Sequence, residues 1–316
     1  MQVSPACRFC YAKAWDKRYG SNSWGSKGER RMFGDKHWAR PLKWNRDAER
    51  TGEQVRVFCA SMADVFEDHP ALVEPRARLW RLIEATPSLT WMLLTKRPEN
   101  IAGMVPWGDT WPRSVWLGTS AETQKFTDQR LPVLLQHPAA VRFVSAAPLL
   151  GPVDLTEYLR LPCERCQGEG VVTVDGDVDY CYDCDQGYLP GLQWVITEGE
   201  SGAKARPTHP DWFATIRDDC DMAEVPFHHK QNGEHGPYVP TVPDASHPDG
   251  RAPDWDRKPS WWVCRESGEA VRREADVPRT GSWVAVYKVG VKAAGRLLEG
   301  ELHDEFPRQP EQVSAR

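Results

Sequence analysis

Cys7 and Cys10 stand two residues apart in the run CRFCYA. A CxxC pair followed by an aromatic residue suits three chemistries: a redox dithiol, half of a zinc site, or the closing part of an iron–sulfur loop. A second set of thiols lies at 161–190, LPCERCQGEGVVTVDGDVDYCYDCDQGYLP, where Cys163 and Cys166 form one knuckle and Cys181 and Cys184 another. Four thiolates at that spacing suit tetrahedral Zn²⁺, with small residues after each pair letting backbone amides turn towards sulfur. So short a segment cannot bury a core of its own, and the expected role of zinc is to staple it. A finger that grips substrate or nucleic acid is the alternative role, and an iron–sulfur cluster the alternative occupant.

The remaining reactive side chains recur at one kind of place. Short β-branched and aromatic runs end in Ser61 and Asp64; in Thr95, Lys96 and Arg97; in Thr119, Ser120 and Glu122; in Ser145; in Glu198, Glu200 and Ser201; and in Lys230 and Gln231. Each alone reads as a strand-end turn or helix cap. Six in succession point to a shared pocket, because capping does not call for Lys, Arg and two Glu at the same topological place.

The elements that must position them follow from the rhythm after residue 55. The runs VRVFCAS, LTWMLLT, VWLGTS, VRFVSAA, LQWVITE and VPFHHK alternate with amphipathic stretches such as PRARLWRLIEATP, FTDQRLPVLLQHP and PDWFATIRDDCDMAE. That pattern predicts βα units and a parallel sheet covered on both faces, and six strands favour a (β/α) partial barrel over an open sheet. The polar residues then lie at the C-terminal ends of the strands, the catalytic face of such a barrel. The domain reading is a barrel over 1–160 completed over 191–233, a zinc-knuckle insertion at 161–190, and a C-terminal extension at 234–316. Within the extension, SWVAVYKVGVKAAGRLLEGELHDEFP reads as a strand followed by a helix.

Composition bounds the rest. With 316 residues, 40% of them hydrophobic, the chain buries a sizeable core. Its 40 basic and 45 acidic residues are interspersed, for a formal charge of -5, so only a local patch is left to attract nucleic acid or an acidic membrane. No apolar run nears the roughly 18 residues of a membrane span, no export signal is present, and nine cysteines without one point to metal thiolates rather than disulfides. The protein is read as cytoplasmic. Most of its 15 tryptophans are expected in core and rim packing.

A resemblance to a known family rests on VSPACRFCYA at 3–12, PLKWNR at 41–46, FCASMADVFED at 58–68, LLTKRPENI at 93–101, VWLGTSAE at 115–122, RFVSAAPLLGPVDL at 142–155, WVITEGESG at 194–202, ARPTHPDW at 205–212, VPFHHKQNGE at 225–234 and VGVKAAGRLLEG at 289–300. These blocks resemble the phage gp thirty-seven/gp sixty-eight family, a domain of unknown function with a three-cysteine motif, itself similar to radical S-adenosylmethionine barrels. The knuckles CERCQGEG and CYDCDQG are similar to those of the DnaJ cysteine-rich domain, with one site only.

The resemblance implies a TIM-like partial barrel of the radical S-adenosylmethionine type with a [4Fe–4S] cluster, S-adenosylmethionine and Zn²⁺ as cofactors. Three thiolates would hold three irons and leave the fourth for S-adenosylmethionine, whose reductive cleavage yields a 5′-deoxyadenosyl radical. Cys7 and Cys10 would be cluster ligands and Tyr11 would pack beside the cluster. Ser61 and Asp64, with Thr119, Ser120 and Glu122, would contact S-adenosylmethionine, although the usual Gly-Gly-Glu is missing. Lys96, Arg97, Glu198, Glu200 and Lys230 would surround substrate, the two glutamates as an acid/base pair or each in a structural ion pair. The expected partners are a nucleic-acid-related substrate and a companion protein encoded nearby. Three departures stand out. By the family's spacing the third cysteine and the first strand fall upstream of Met1, leaving Cys59 as the only substitute; Ala147 stands where an acidic residue is expected; and His228 and His229 stand where aromatics are usual. The competing reading is a non-catalytic zinc-containing nucleic-acid-binding barrel.

Overall fold

In a computed structural model the chain is described over residues 3–307, apart from 21–22, 24, 26–27, 164, 168, 170, 175–176, 182–187 and 238–258. Six parallel strands make the main sheet: β1 (Val55–Cys59), β2 (Leu89–Thr95), β3 (Val115–Ser120), β4 (Val141–Ala146), β5 (Trp194–Thr197) and β6 (Phe227–His229). Their spatial order is their chain order, so each crossover joins neighbours and the sheet curls into a half-barrel. These are the six runs expected from the sequence. Both β2 and β3 are buried almost throughout, which is why they read as continuous apolar runs rather than alternating ones.

Helices α1 (Tyr11–Arg18), α2 (Arg40–Thr51), α3 (Val73–Glu84), α4 (Gln124–Leu134) and α5 (Pro210–Met222) precede or link the strands. The last three are the amphipathic stretches named above; α1 and α2 lie in the first 54 residues, where no strand rhythm drew attention. Outward-facing strand residues such as Leu93, Leu117, Val144 and Val195 pack under the helices with Ile83, Leu131, Phe213 and Ile216 in the main core. The opposite face of the sheet holds a smaller cluster, Met92, Trp116, Val141, Phe143, Trp194 and Ile196, lining the inside of the half-barrel. Gly118 is required there: a Cβ on it would fall 2.3 Å from the Phe143 ring that crosses it.

The insertion hangs from two short antiparallel strands, 160–162 and 188–190, with the hairpin 171–174/177–180 between the knuckles. The C-terminal extension differs from its expectation. Residues 283–288 do form a strand, but in an antiparallel sheet with 235–237, 261–264 and 270–271. The helix that follows is a single turn, Val291–Ala294, because Gly295 takes a positive φ at its C-cap and ends it. The chain then runs back along β6: His229 N–H donates to His303 O at 3.0 Å, and His228 bridges Asp304 antiparallel. Phe306 thereby plugs the floor of the half-barrel, its ring 5.0 Å from Trp194 and beneath the Arg56 guanidinium at 4.0 Å. Among the described residues no helix is long and apolar enough to cross a membrane.

Candidate functional site

Strand alternation sends Lys96, Ser120, Ser145, Glu198 and Lys230 to the inner face, in step with Leu94, Gly118, Phe143, Ile196 and His228 below them. The mouth of the half-barrel is therefore polar above an apolar interior. Across it lies the Cys7–Cys10 loop. Its anchors come from two different strand ends: the Tyr11 hydroxyl donates to Ser61 O at 2.6 Å, and Arg206 Nη2 donates to Pro5 O at 3.1 Å. Ser4 Oγ also lies 3.7 Å from Cys7 Sγ, and the Arg206 guanidinium covers the Phe9 ring.

Glu122 is fully buried between two cations. Its Oε2 accepts from Arg130 Nη1 at 2.9 Å and its Oε1 faces Lys96 Nζ at 3.6 Å. Burial pushes this carboxyl up, but Lys96, Arg130 and Ser4 together outweigh it and hold the group below the ordinary carboxylate range. Glu198 and Glu200 each have partners of their own. Glu198 accepts from Lys230 Nζ and, at 2.5 Å, from Gln231 Nε2, whereas Glu200 is held bidentate by Arg206. The Tyr11 phenol is raised by burial and by the charges of Cys10 and Glu198, against the lowering hydrogen bond to Ser61.

Other candidates point away from the mouth. Asp64 accepts from Thr95 Oγ1 at 2.8 Å, Lys96 N at 3.0 Å and Arg97 Nη1 at 2.8 Å, and Arg97 also faces Glu67 at 3.7 Å. These groups brace the loop after β1 to the end of β2 on the helix side of the sheet. Thr119 is buried on that side too, donating to Thr95 O. Ala147 leaves the end of β4 without a charge. His229 lies under α5, bonded to Thr197 and Asn232, and His228 packs on Trp194 and Phe306, so neither lines the mouth. Cys59 packs against the main core, where burial pushes its thiol up to about 12.

The other thiol site is closed and local. Cys163, Cys166 and Cys181 are buried, and their sulfurs all lie within 4.8 Å of one another. Cys163 Sγ and Cys181 Sγ are 3.8 Å apart, far beyond a disulfide and close to the edge of a tetrahedron built on metal–sulfur bonds of about 2.3 Å. This group can hold a metal ion; Cys184 lies outside the described residues. Ser4, Arg130, Arg206 and Phe306 escaped the sequence reading. Arg130 looks like any cation on an amphipathic helix, and Arg206 lies in a loop without periodicity.

The model of a family described as "Protein of unknown function (DUF5131)" matches residues 1–307. Comparison with the curated proteins and with the solved structures returned no match.

Proposed function

The chain belongs to the DUF5131 family of proteins of unknown function, and from that premise we propose that it is an enzyme of the radical S-adenosylmethionine type, working at the mouth of its half-barrel. One observation carries this reading. The Cys7–Cys10 loop is drawn across the C-terminal strand ends by contacts from the loops after β1 and β5, above an apolar, aromatic-lined interior. Two cysteines placed at the catalytic face of a (β/α) barrel are where a cluster would serve substrate bound inside it. The resemblance to the phage gp thirty-seven/gp sixty-eight family supports the same assignment.

The residues present fit an iron–sulfur cluster in part. Cys7 and Cys10 supply two thiolates, but among the described residues no group of three potential ligands includes them, and Cys59 is a buried thiol. No reaction step is therefore derived through the cluster. The chain's own residues do the work of confinement: Glu122 with Lys96 and Arg130, Glu198 with Lys230, and Glu200 with Arg206 keep the rim paired and fixed, while Leu94, Phe143 and Ile196 exclude water beneath it. At the insertion, zinc is the metal that suits buried thiolates alone.

A second reading, a zinc-stapled barrel that binds nucleic acid without transforming it, is favoured by the fit of the insertion thiols to a metal ion. Anaerobic reconstitution separates the two, using the chain as given and a version extended upstream with a third cysteine. The radical reading expects about four irons and one zinc in the extended chain, with a spectrum perturbed by S-adenosylmethionine, and loss of iron but not zinc in Cys7→Ser and Cys10→Ser. Zinc alone in both chains overturns it.

A further inference from the structure

Charge is unevenly placed in a chain whose formal charge is -5: residues 1–54 hold 12 of its 40 Lys and Arg but only 6 of its 45 Asp and Glu. Part of that excess lies on α1, beside the mouth. Tyr11, Trp15 and Tyr19 follow one another at helical spacing and are 57%, 43% and 60% exposed, the Trp15 and Tyr19 rings 4.3 Å apart. Arg8 precedes the helix and Arg18 lies on the side of the rings, whereas Lys13 and Lys17, two residues on from Tyr11 and Trp15, stand on the other flank; all four are exposed and none is in an ion pair among the described residues. Arg8 and Arg18 lie over Phe9 and Tyr19. The helix's one acid, Asp16, is buried and turned inward to Ser23, whose neighbour in the network, Arg30, is bound to Glu67. The inner side of α1 is thus tied to the loop after β1, and the exposed remainder of the helix offers aromatic rings along one flank and positive charge along the other, with no acid of its own besides Asp16.

We propose that this exposed surface of α1 binds single-stranded nucleic acid and leads it to the mouth at Tyr11. Unpaired cations attract a polyanion and are soluble without one; exposed rings on the flank beside them suit unstacked bases, whose π-faces they cover whatever the sequence. A folded protein partner would leave these four cations without a matching charge unless it were itself acidic, and a duplex would hide its bases from the rings. The inference names the substrate class for the mouth described above and rests on the mouth being the working site. It does not require the cluster, so aerobically purified full-length chain tests it, and either idea can fail alone.

The measurement is fluorescence anisotropy of a labelled 12-nucleotide oligo(dT) and oligo(U), titrated at 20 to 200 mM NaCl, with inorganic polyphosphate as a competitor lacking bases. Binding is expected to weaken with salt with a log–log slope approaching about -3, that is about -0.7 for each of four cations. The double variant Trp15→Ala/Tyr19→Ala is expected to weaken it about 10- to 100-fold, and Lys13→Gln and Lys17→Gln each to flatten the slope by about 0.7. Circular dichroism of each variant checks the fold, which these exposed positions do not support. Absence of binding at 20 mM salt, affinity unchanged in the aromatic variant, or equal competition by polyphosphate overturns the proposal. So does a dimer, seen by light scattering, that the aromatic variant abolishes, since it would assign this face to a second copy of the chain.

Discussion

The molecule carries two thiol sites built in opposite ways. In the insertion, three cysteines from 19 consecutive residues converge on one another, and the hairpin between the knuckles serves only to bring them together. At the mouth, Cys7 and Cys10 owe their placement to the barrel: to Ser61 after β1 and Arg206 after β5. The first is a motif that makes its own site. The second is a motif that a fold has to present, and its neighbours, not its spacing, decide what it can do.

The largest expected effect breaks the two apart. Cys163→Ser or Cys181→Ser should remove the insertion's metal altogether while leaving the barrel's thermal unfolding nearly unchanged, because the insertion springs from the short 160–162/188–190 strand pair outside the main sheet. Metal content and differential scanning calorimetry of the same sample check it; a barrel that unfolds with the metal would show that the insertion is not self-contained. Glu122→Ala should do the reverse. It leaves Lys96 and Arg130 facing an empty buried site and should cost about 3–5 kcal/mol of barrel stability with the insertion's metal retained.

A smaller effect sharpens the contrast within the mouth itself. Glu198→Gln removes the partner of a half-exposed Lys230 and should cost no more than about 1 kcal/mol in urea unfolding, so the two mouth glutamates differ although both bear ion pairs. Below the mouth, Gly118→Ala pushes a methyl group into the Phe143 ring and should cost about 1–3 kcal/mol, again without loss of metal.

The response to acid distinguishes the regions as well. The insertion contains no histidine, whereas burial pushes His229 and His235 of the barrel and its extension down to about 4, His235 with neither ring nitrogen partnered among the described residues. Both are neutral when folded and bind a proton near 6.5 when unfolded, so the unfolded chain takes up more protons between those values. Stability is then full above about pH 6.5 and falls as pH drops towards 4, by up to about 1.4 kcal/mol per pH unit for each histidine. Chemical unfolding at pH 7 and pH 5 followed by tryptophan fluorescence reads this, and His229→Gln should flatten the slope. A slope unchanged by that variant would remove His229 as a source.

Local order was legible and assembly was not. The six strands and three of the helices declared themselves by hydrophobic period, and the knuckles by spacing, since a strand's burial and a tetrahedral thiol set are properties of short stretches. That reactive residues gather at strand ends was equally plain. Which of them face one another was not: alternation turns Lys96 inward and Arg97 outward one residue later, so Arg97 braces Asp64 while Lys96 meets Glu122. The C-terminal segment was misjudged for the same reason, because nothing in DEFP announces that Phe306 closes the floor against Trp194.

The amino-acid sequence by itself determined a parallel βα half-barrel, an insertion with a metal-type thiol set and a dithiol loop ahead of the barrel. Only the tertiary structure decided that this loop crosses the mouth, that each glutamate there is paired with its own cation, and that an aromatic, basic helix lies beside it. The reason is one of range. Periodicity and ligand spacing act over a few residues and leave their mark in the string, whereas the contacts of Pro5 with Arg206 or of Trp194 with Glu305 join positions 201 and 111 residues apart, which only the folded chain brings within hydrogen-bond distance.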